Sequence, residues 1–372
     1  MKKFYASFGL IALFALFSST KAYSLNFTVE PFDIGPGKVV TVKFMVSNAD
    51  PKIDVIELHF NLPSGVYVKG VDQTSTDEQK ITNYTSDLDL GNGGTKEFSY
   101  KKGRRKGECY VYFIADTGVF LFEGKGNDSE PYCFFAFDVV CDETVSAGSG
   151  EIEFTDLDDG THFENSTEEV TYYQEDDENL FKPVPVVVHE TFPATISASG
   201  YCTICPTVGL DVSGVEAYIV TAVEGKTATL TQIKQLSANE GAIIKGDAGT
   251  TVEIPLLSTA KTDVSGNMLT GVTEYTPIDN TSGTIFFLSE GKFKKAAAST
   301  FLPAGKAYLT ASISSAKEFD FIEFDLPGDE TSIQGVSENA EQSSVLYNLN
   351  GMRVSKAEKG VYIQNGKKYV VK

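Results

Sequence analysis

Residues 34–46, IGPGKVVTVKFMV, hold the clearest fold signal in this chain of 372 residues. Apolar side chains alternate with others in this stretch at Val40, Val42, Phe44 and Val46. The next apolar stretch repeats the pattern at Ile56, Leu58, Phe60 and Leu62. A period of two places one row of side chains in a core and the other row at the surface, which is typical of half-buried antiparallel strands.

Turn signals separate these stretches and favour an all-β fold. They are Gly35-Pro-Gly37, Leu62-Pro-Ser-Gly65 and Gly91-Asn-Gly-Gly94. No apolar pattern with a period of 3.6 residues persists over the first half, so strands packed as a β-sandwich are expected there. Apolar strand pairs around Glu224-Gly-Lys226 and Ser289-Glu-Gly-Lys292 predict a second all-β domain.

The charge balance excludes several classes of partner. The chain carries 31 Lys and Arg against 51 Asp and Glu, a formal net charge of -20. Such a charge opposes binding to nucleic acid or to an anionic membrane surface. The basic run Lys101-Lys-Gly-Arg-Arg-Lys106 is a local exception. We interpret this run as a solvated loop. The alternative is that it binds an acidic glycan or an acidic partner.

The beginning of the chain predicts export. Residues 1–24 combine Lys2-Lys3, an apolar stretch from Phe8 to Phe17 and small residues near Ala22, as a signal peptide does. No later run reaches the roughly 20 apolar residues of a spanning helix, so no transmembrane span is expected in the mature chain. The predicted location is the cell surface or the medium.

The same patterns divide the chain. The predicted parts are a signal peptide (1–24), a β-sandwich (25–180), a linker (181–190), an all-β module (191–326), a second linker (327–344) and a small C-terminal β-module (345–372).

The five cysteines allow disulfides in an exported protein. Cys202 and Cys205 are interpreted as a local disulfide across a strand end, or as two small half-buried residues. Cys109 and Cys141 would pair if the strands Cys109–Ala115 and Cys133–Cys141 were antiparallel neighbours. Redox or zinc chemistry at Cys202-Thr-Ile-Cys205 is disfavoured, because the context is strand-like and no second CxxC exists.

The sequence contains no motif that is typical of a particular catalytic reaction, so we expect a protein without enzymatic activity. There is no Gly-x-Ser-x-Gly elbow, phosphate loop or HExxH. The acidic run Asp156-Leu-Asp-Asp-Gly160 fails EF-hand spacing. A solvated loop is the preferred interpretation and a structural calcium ion the alternative; no other cofactor is expected. Tyr84, Tyr172 and Tyr173 could stack on sugars, although packing at the core or its rim is the stronger interpretation.

Two parts of the chain resemble known domains. The first resembles a cohesin-like domain of bacterial surface and polysaccharide-handling proteins, in segments 34–46, 53–60, 62–68, 109–115 and 134–140. That resemblance implies a nine-stranded jelly-roll sandwich that binds a partner or ligand and has no catalytic activity. No dockerin-like segment is present, so the partner is not implied. The second resembles a recurrent module of Bacteroidales surface proteins, in segments 200–205, 215–218, 238–246, 266–269 and 302–309.

The last 28 residues predict two hairpins, because Asn350-Gly351 and Asn365-Gly366 each lie between short β-branched and aromatic runs. This tail resembles the type A C-terminal sorting domain of type IX secretion in Bacteroidetes-group bacteria. The residues that carry the motif are Gly351, Arg353, Gly360, Tyr362, Gly366, Lys367 and Lys368. The resemblance implies the export machinery as a partner of the tail; an ordinary terminal hairpin is the alternative.

The sequence thus predicts a non-catalytic exported or cell-surface binding protein. Its N-terminal sandwich would engage a carbohydrate or a surface protein. A structural component of the cell surface is the first alternative, and a glycan-active enzyme is the less favoured one. Aromatic side chains clustered on one exposed sheet face would favour glycan binding; convergent carboxylates in a deep pocket would favour an enzyme.

Overall fold

The computed structural model describes residues 25–101, 108–157, 160–172, 180–312, 321–325, 346–348, 353–354, 360–364 and 367–371. Every regular element in these ranges is a β-strand, which confirms the all-β prediction. Contacts divide the chain into one unit at 1–325 and a second at 326–372. The described ranges contain no helix long and apolar enough to cross a bilayer.

Fourteen strands build the first half of the large unit. They are β1 (Asn26–Val29), β2 (Phe32–Ile34), β3 (Val40–Ser47), β4 (Val55–Asn61), β5 (Val66–Val68), β6 (Gln79–Lys80), β7 (Tyr84–Thr85), β8 (Thr95–Lys101), β9 (Glu108–Ile114), β10 (Tyr132–Cys141), β11 (Gly148–Thr155), β12 (His162–Asn165), β13 (Val170–Tyr172) and β14 (Val184–Val188).

These strands form two sheets. The first has the order β1-β3-β10-β5, with β7 on β10. The second has the order β2-β14-β11-β4-β9-β8-β6, and β12 joins β4 to β13. Neighbouring strands are antiparallel throughout, apart from the parallel pair of β14 and β2. The two sheets share one apolar core, as a sandwich requires.

Phenylalanine fills the space between the sheets. Phe44 on β3 is fully buried, and its ring centroid lies 5.2 Å from Phe60 of the opposite sheet. The rings of Phe27, Phe134, Phe135, Phe137 and Phe154 lie 5.4–6.4 Å from Phe44. Burying each ring stabilises the fold by about 1.5–3 kcal/mol, and edge-to-face pairs add about 0.5–1.5 kcal/mol. The alternation in residues 40–46 and 56–62 therefore produces the core that it predicts.

Fifteen further strands complete the large unit. They are β15 (Phe192–Thr195), β16 (Tyr201–Ile204), β17 (Leu210–Asp211), β18 (Glu216–Glu224), β19 (Thr227–Gln232), β20 (Gln235–Leu236), β21 (Ala242–Lys245), β22 (Thr251–Ile254), β23 (Leu269–Val272), β24 (Thr276–Asp279), β25 (Ile285–Ser289), β26 (Lys292–Lys295), β27 (Ser299–Leu302), β28 (Lys306–Thr310) and β29 (Phe321–Asp325).

A nine-stranded sheet dominates this second half. Its order is β16-β21-β18-β19-β29-β26-β25-β28-β23. Three two-stranded sheets flank it, β15-β22, β17-β20 and β24-β27. The half has apolar clusters of its own, one of which includes Phe192, Ile219 and Ile244. The predicted boundary at 181–190 remains a prediction, because contacts group both halves in one unit.

The second half packs on the outer surface of the first sheet. The carboxylate of Asp138 on β10 accepts hydrogen bonds from Thr41 Oγ1 at 2.7 Å and from the backbone N–H of Tyr275 at 3.0 Å. Lys69 donates to the carbonyl of Thr273 at 2.6 Å. The Nζ of Lys43 lies 5.4 Å from the centre of the Tyr275 ring. This surface of the sandwich is therefore occupied within the chain, and the outer surface of the second sheet is the one left for another role.

The C-terminal unit has four described strands. They are β30 (Leu346–Asn348), β31 (Arg353–Val354), β32 (Gly360–Gln364) and β33 (Lys367–Val371), in the order β31-β30-β32-β33. The antiparallel pairs β30–β31 and β32–β33 confirm the two predicted hairpins. Arg353, Gly360, Tyr362, Lys367 and Lys368 lie on these strands, whereas Gly351 and Gly366 fall outside the described residues. The sorting role of this motif, like the signal peptide at 1–24, remains a prediction.

Replacing Phe44 by Ala tests the central position of its ring. We expect Phe44→Ala to lower the free energy of unfolding by about 3–5 kcal/mol, because the cavity loses contacts with both sheets. Val187→Ala is the control, since Val187 is 43% exposed on the same sandwich. Denaturant unfolding of the full chain measures both variants. A loss below about 1 kcal/mol for Phe44→Ala would contradict the packing described above.

Candidate functional site

The outer surface of the second sheet presents an ordered set of polar and aromatic side chains. On β4 and β9, alternate residues are buried and half-buried. Because paired residues share a face, the register brings the outward side chains side by side. We define the β4–β9 face by Glu57, His59, Asn61, Glu97, Glu108, Tyr110 and Tyr112.

Aromatic rings form a row along this face. Tyr110 and Tyr112 are two residues apart on β9, and their rings are nearly parallel, with centroids 5.8 Å apart and an interplanar angle of 16°. His59 lies opposite Tyr110, with a centroid distance of 4.8 Å. Since the period of a strand is two, this spacing places all three rings on one side of the sheet.

Carboxylates flank the rings. Tyr112 lies between Glu57 of β4 and Glu97 of β8 in the strand register. Glu57 Oε1 accepts a hydrogen bond from His59 Nε2 at 2.9 Å. Desolvation by burial, followed by the negative charge of Glu57, raises the pKa of both Tyr110 and Tyr112. The phenols therefore keep their protons and can donate hydrogen bonds, while the glutamates accept them.

Backbone hydrogen bonds hold Asp156 near one end of the face. The backbone N–H groups of Gly160 and Thr161 both donate to the carbonyl of Asp156 at 2.7 Å. Thr161 Oγ1 accepts from the backbone N–H of His59 at 3.0 Å, which ties the loop to β4. As a result, the Asp156 carboxylate lies 3.7 Å from His59 Nδ1. The run Asp156–Gly160 prompted the calcium interpretation, and two of its acidic residues, Asp158 and Asp159, fall outside the described residues.

Two of the tyrosines that were considered as sugar platforms, Tyr84 and Tyr172, lie away from this face. The Tyr84 ring packs against Phe98 and Phe135, at 5.9 and 5.4 Å. Tyr172 is half-buried against the core, and its hydroxyl donates to Asp50 Oδ2 at 3.1 Å. Both positions match the preferred interpretation, which is packing at the rim of the core. Tyr173 lies outside the described residues.

None of the five cysteines forms a disulfide in this structure, so neither predicted disulfide is present. The strand pairing assumed for Cys109 and Cys141 is wrong. Cys109 lies on β9, which pairs with β4 and β8, whereas Cys141 lies on β10 in the opposite sheet. The connection between them crosses from one sheet to the other, so the two strands are not hydrogen-bonded neighbours.

Cys202 and Cys205 are also free and buried. Cys202 pairs with Ile244 in the register of β16 and β21, and Cys205 follows the end of β16. Burial raises the pKa of the Cys205 thiol to about 11 and that of Cys141 to about 12. A raised thiol pKa opposes the nucleophilic reactivity that redox catalysis requires. These positions match the alternative of small buried residues.

A separate cavity of about 490 Å³ lies between the two halves of the large unit. Lys38 and Lys306 line it, together with Asp33 and apolar side chains of β3 and β15. Burial, followed by the charge of Lys306, lowers the pKa of Lys38 to about 8. Asp33 Oδ2 accepts a hydrogen bond from Thr251 Oγ1 at 2.7 Å, which ties the first half to the second. We interpret this cavity as part of the contact between the halves.

The alternation of Ile56, Leu58 and Phe60 implies that Glu57 and His59 face outward, but it does not connect them with Tyr110 and Tyr112. The signal for the two tyrosines was present in residues 109–115, where Cys109, Val111 and Phe113 alternate with them. The register of β4 against β9, which places these side chains next to each other, could not be predicted from the sequence.

No protein-family model matches the sequence, and no curated protein matches it. Solved cohesin structures are similar to part of the chain. A non-cellulosomal cohesin from the archaeon Archaeoglobus fulgidus has 13% identity and a TM-score of 0.26, over 44% of this chain and 91% of that one. The cohesin CaCohA2 from Clostridium acetobutylicum has 12% identity and a TM-score of 0.27, over 44% and 90%. The seventh ScaB type I cohesin from Pseudobacteroides cellulosolvens has 13% identity and a TM-score of 0.26, over 45% and 93%.

The free thiols give a direct test. We expect Ellman's reagent to count five thiols per chain after denaturation without a reductant. In the native protein we expect slow reaction at pH 8, because burial raises the pKa of Cys141 to about 12 and of Cys205 to about 11. A Cys109→Ser, Cys141→Ser chain is the control and should lose two thiols. A count of three or one in the wild-type chain would show that disulfides form.

Proposed function

We propose that this protein is a non-catalytic binding module that engages a neutral carbohydrate through the β4–β9 face. The observation that carries the proposal is the nearly parallel pair of Tyr110 and Tyr112 beside His59 on the outer surface of the second sheet. Aromatic side chains clustered on one exposed sheet face are the arrangement expected of a glycan-binding module.

The chemistry of the face suits a polyhydroxylated ligand. The apolar C–H surface of a sugar ring can stack on a tyrosine, a contact that contributes about 1 kcal/mol per ring. Sugar hydroxyls can donate to Glu57 and Glu97 and can accept from the protonated phenols. The acidic face and the net charge of -20 would repel an acidic glycan, which favours a neutral one.

A protein partner is the second candidate, favoured by the same row of carboxylates. Glu57, Glu97 and Glu108 line one surface, and a partner with a basic patch would associate faster in their field. In that case the tyrosines would act as the apolar anchors of the interface. Salt dependence distinguishes the two candidates, because stacking on a neutral sugar is nearly independent of ionic strength.

The same proposal gives a role to each of the other parts of the chain. Export to the cell surface or medium would follow from residues 1–24, and the tail at 345–372 would be read by the export machinery. The second half would hold the first sheet and leave the second sheet exposed. A structural role at the cell surface and a glycan-active enzyme remain the alternatives.

Tyrosine variants test the proposed face. We expect the full chain to bind one of xylan, glucomannan or mixed-linkage β-glucan in affinity electrophoresis. Tyr112→Ala should weaken binding about five- to tenfold, because one stacking contact of about 1 kcal/mol is lost. Tyr172→Phe is the control and should bind like the wild type, since its ring packs at the core rim.

Two results would contradict the proposal. If a Tyr110→Ala, Tyr112→Ala chain binds the polysaccharide as well as the wild type does, the β4–β9 face is not the site. If none of the polysaccharides binds, the carbohydrate proposal fails, and salt-sensitive capture of a basic protein becomes the candidate to pursue. Unfolding temperatures of all variants exclude loss of the fold as the cause.

A further inference from the structure

Three side chains at one end of the β4–β9 face have the composition of a metal site. His59, Glu108 and Asp156 each offer one ligand atom, and these three atoms all lie within 4.8 Å of one another. They come from β4, from β9 and from the loop after β11. Two adjoining strands hold His59 and Glu108 rigidly, while Asp156 is fixed through its backbone carbonyl.

The orientation of His59 leaves one ring nitrogen for a ligand. A carboxylate only accepts hydrogen bonds, so the 2.9 Å contact with Glu57 places the proton of the imidazole on Nε2. Nδ1 then carries the lone pair, and it lies 3.7 Å from Asp156 Oδ2. That distance is too long for a hydrogen bond. It is close to the separation of about 3.4 Å between two atoms bound to one tetrahedral zinc ion at about 2.1 Å.

Two buried oxygen atoms beside the cluster point independently to a missing ligand. Thr155 is 8% exposed, and its Oγ1 has no hydrogen-bond partner among the residues that the structure describes. Thr155 is paired with His59 in the register, so its side chain lies on the same face. Asn61 Oδ1 is also buried and has no partner within the described ranges, and Asn61 is paired with Glu108. Buried polar atoms normally have partners, and a metal-bound water between these residues would supply them.

We propose that His59, Glu108 and Asp156 bind a divalent transition-metal ion of the zinc type. An imidazole nitrogen with two carboxylates suits zinc and its neighbours, whereas calcium takes oxygen ligands alone. Glu57 acts as a positioning residue, because its hydrogen bond fixes the tautomer and the orientation of the imidazole. Three protein ligands leave a coordination position open, and water held near Thr155 and Asn61 occupies it.

This site shares Asp156 with the acidic run that suggested calcium, but its ligand set is different. The ion requires Asp156 but neither of its acidic neighbours, and its other two ligands come from strands far away in the sequence. The proposal goes beyond carbohydrate binding, because the tyrosine row can stack on a sugar with or without the ion. The open position lies at the end of that row.

Calorimetric titration of the full chain with zinc sulfate tests the site. We expect tight binding of zinc at the cluster, with affinity at least tenfold weaker in Glu108→Gln and in Asp156→Asn. Glu97→Gln is the matched control on the same face and should bind like the wild type. Free cysteines can bind zinc elsewhere, and the carboxylate variants leave all five of them in place.

A spectroscopic measurement tests the role of Glu57. We expect Glu57→Gln to weaken zinc binding by about 10- to 100-fold, the usual effect of a lost partner of a ligating histidine. Cobalt bound in place of zinc should change its visible spectrum in Glu57→Gln, which a purely structural role would not cause. Glu97→Gln should leave that spectrum unchanged.

The outcomes separate this proposal from carbohydrate binding. Zinc affinity that is unchanged in both Glu108→Gln and Asp156→Asn would overturn the site, as would no zinc binding up to 1 mM. Tyr112→Ala should keep zinc binding while it weakens polysaccharide binding. Polysaccharide binding measured with a chelator present reports on the face alone.

Discussion

Contact between phenylalanine rings across the two sheets is the constraint on which the rest of the sandwich depends. Phe44 of the first sheet and Phe60 of the second lie 5.2 Å apart, at the centre of a cluster that reaches the edges of both sheets. A strand has a period of two, so fixing Phe60 inward also fixes Glu57, His59 and Asn61 outward. A slip of one residue in β4 would bury His59 and expose Phe60 together.

The two outer surfaces of the sandwich are in different environments. On the first sheet, Asp138 and Thr41 bind backbone groups of the second half, which covers that surface. On the second sheet, the outward residues of β4 and β9 remain half-exposed. The outer surface of the first sheet therefore contacts the second half of the large unit. The outer surface of the second sheet carries the rings and carboxylates that can bind a ligand.

Much of the fold could be predicted from the sequence, because alternation and turn residues are local signals. The all-β class, the inward row from Val40 to Val46 and both tail hairpins follow from them. Sheet membership could not be predicted in this way. Strands β9 and β10 share the same period, and only packing places them in opposite sheets, which is why the pairing of Cys109 with Cys141 was wrong.

The candidate site was predicted only in part, for the same physical reason. The outward position of His59 follows from its phase in β4, but its neighbours Tyr110 and Asp156 come from other strands. The tyrosines that look exposed in the sequence, Tyr84 and Tyr172, lie at the rim of the core. Position relative to a core depends on strand register, and an isolated sequence motif does not encode it.

The outer surface of the second sheet, on the side away from the phenylalanine core, is the proposed binding surface. Oxidative footprinting of the tyrosines, with and without the soluble polysaccharide that binds, measures this most directly. We predict that Tyr110 and Tyr112 become protected from oxidation on binding, while Tyr84 and Tyr172 keep their reactivity. Protection of Tyr172 with Tyr110 and Tyr112 unchanged would contradict the account and place the binding surface elsewhere on the sandwich.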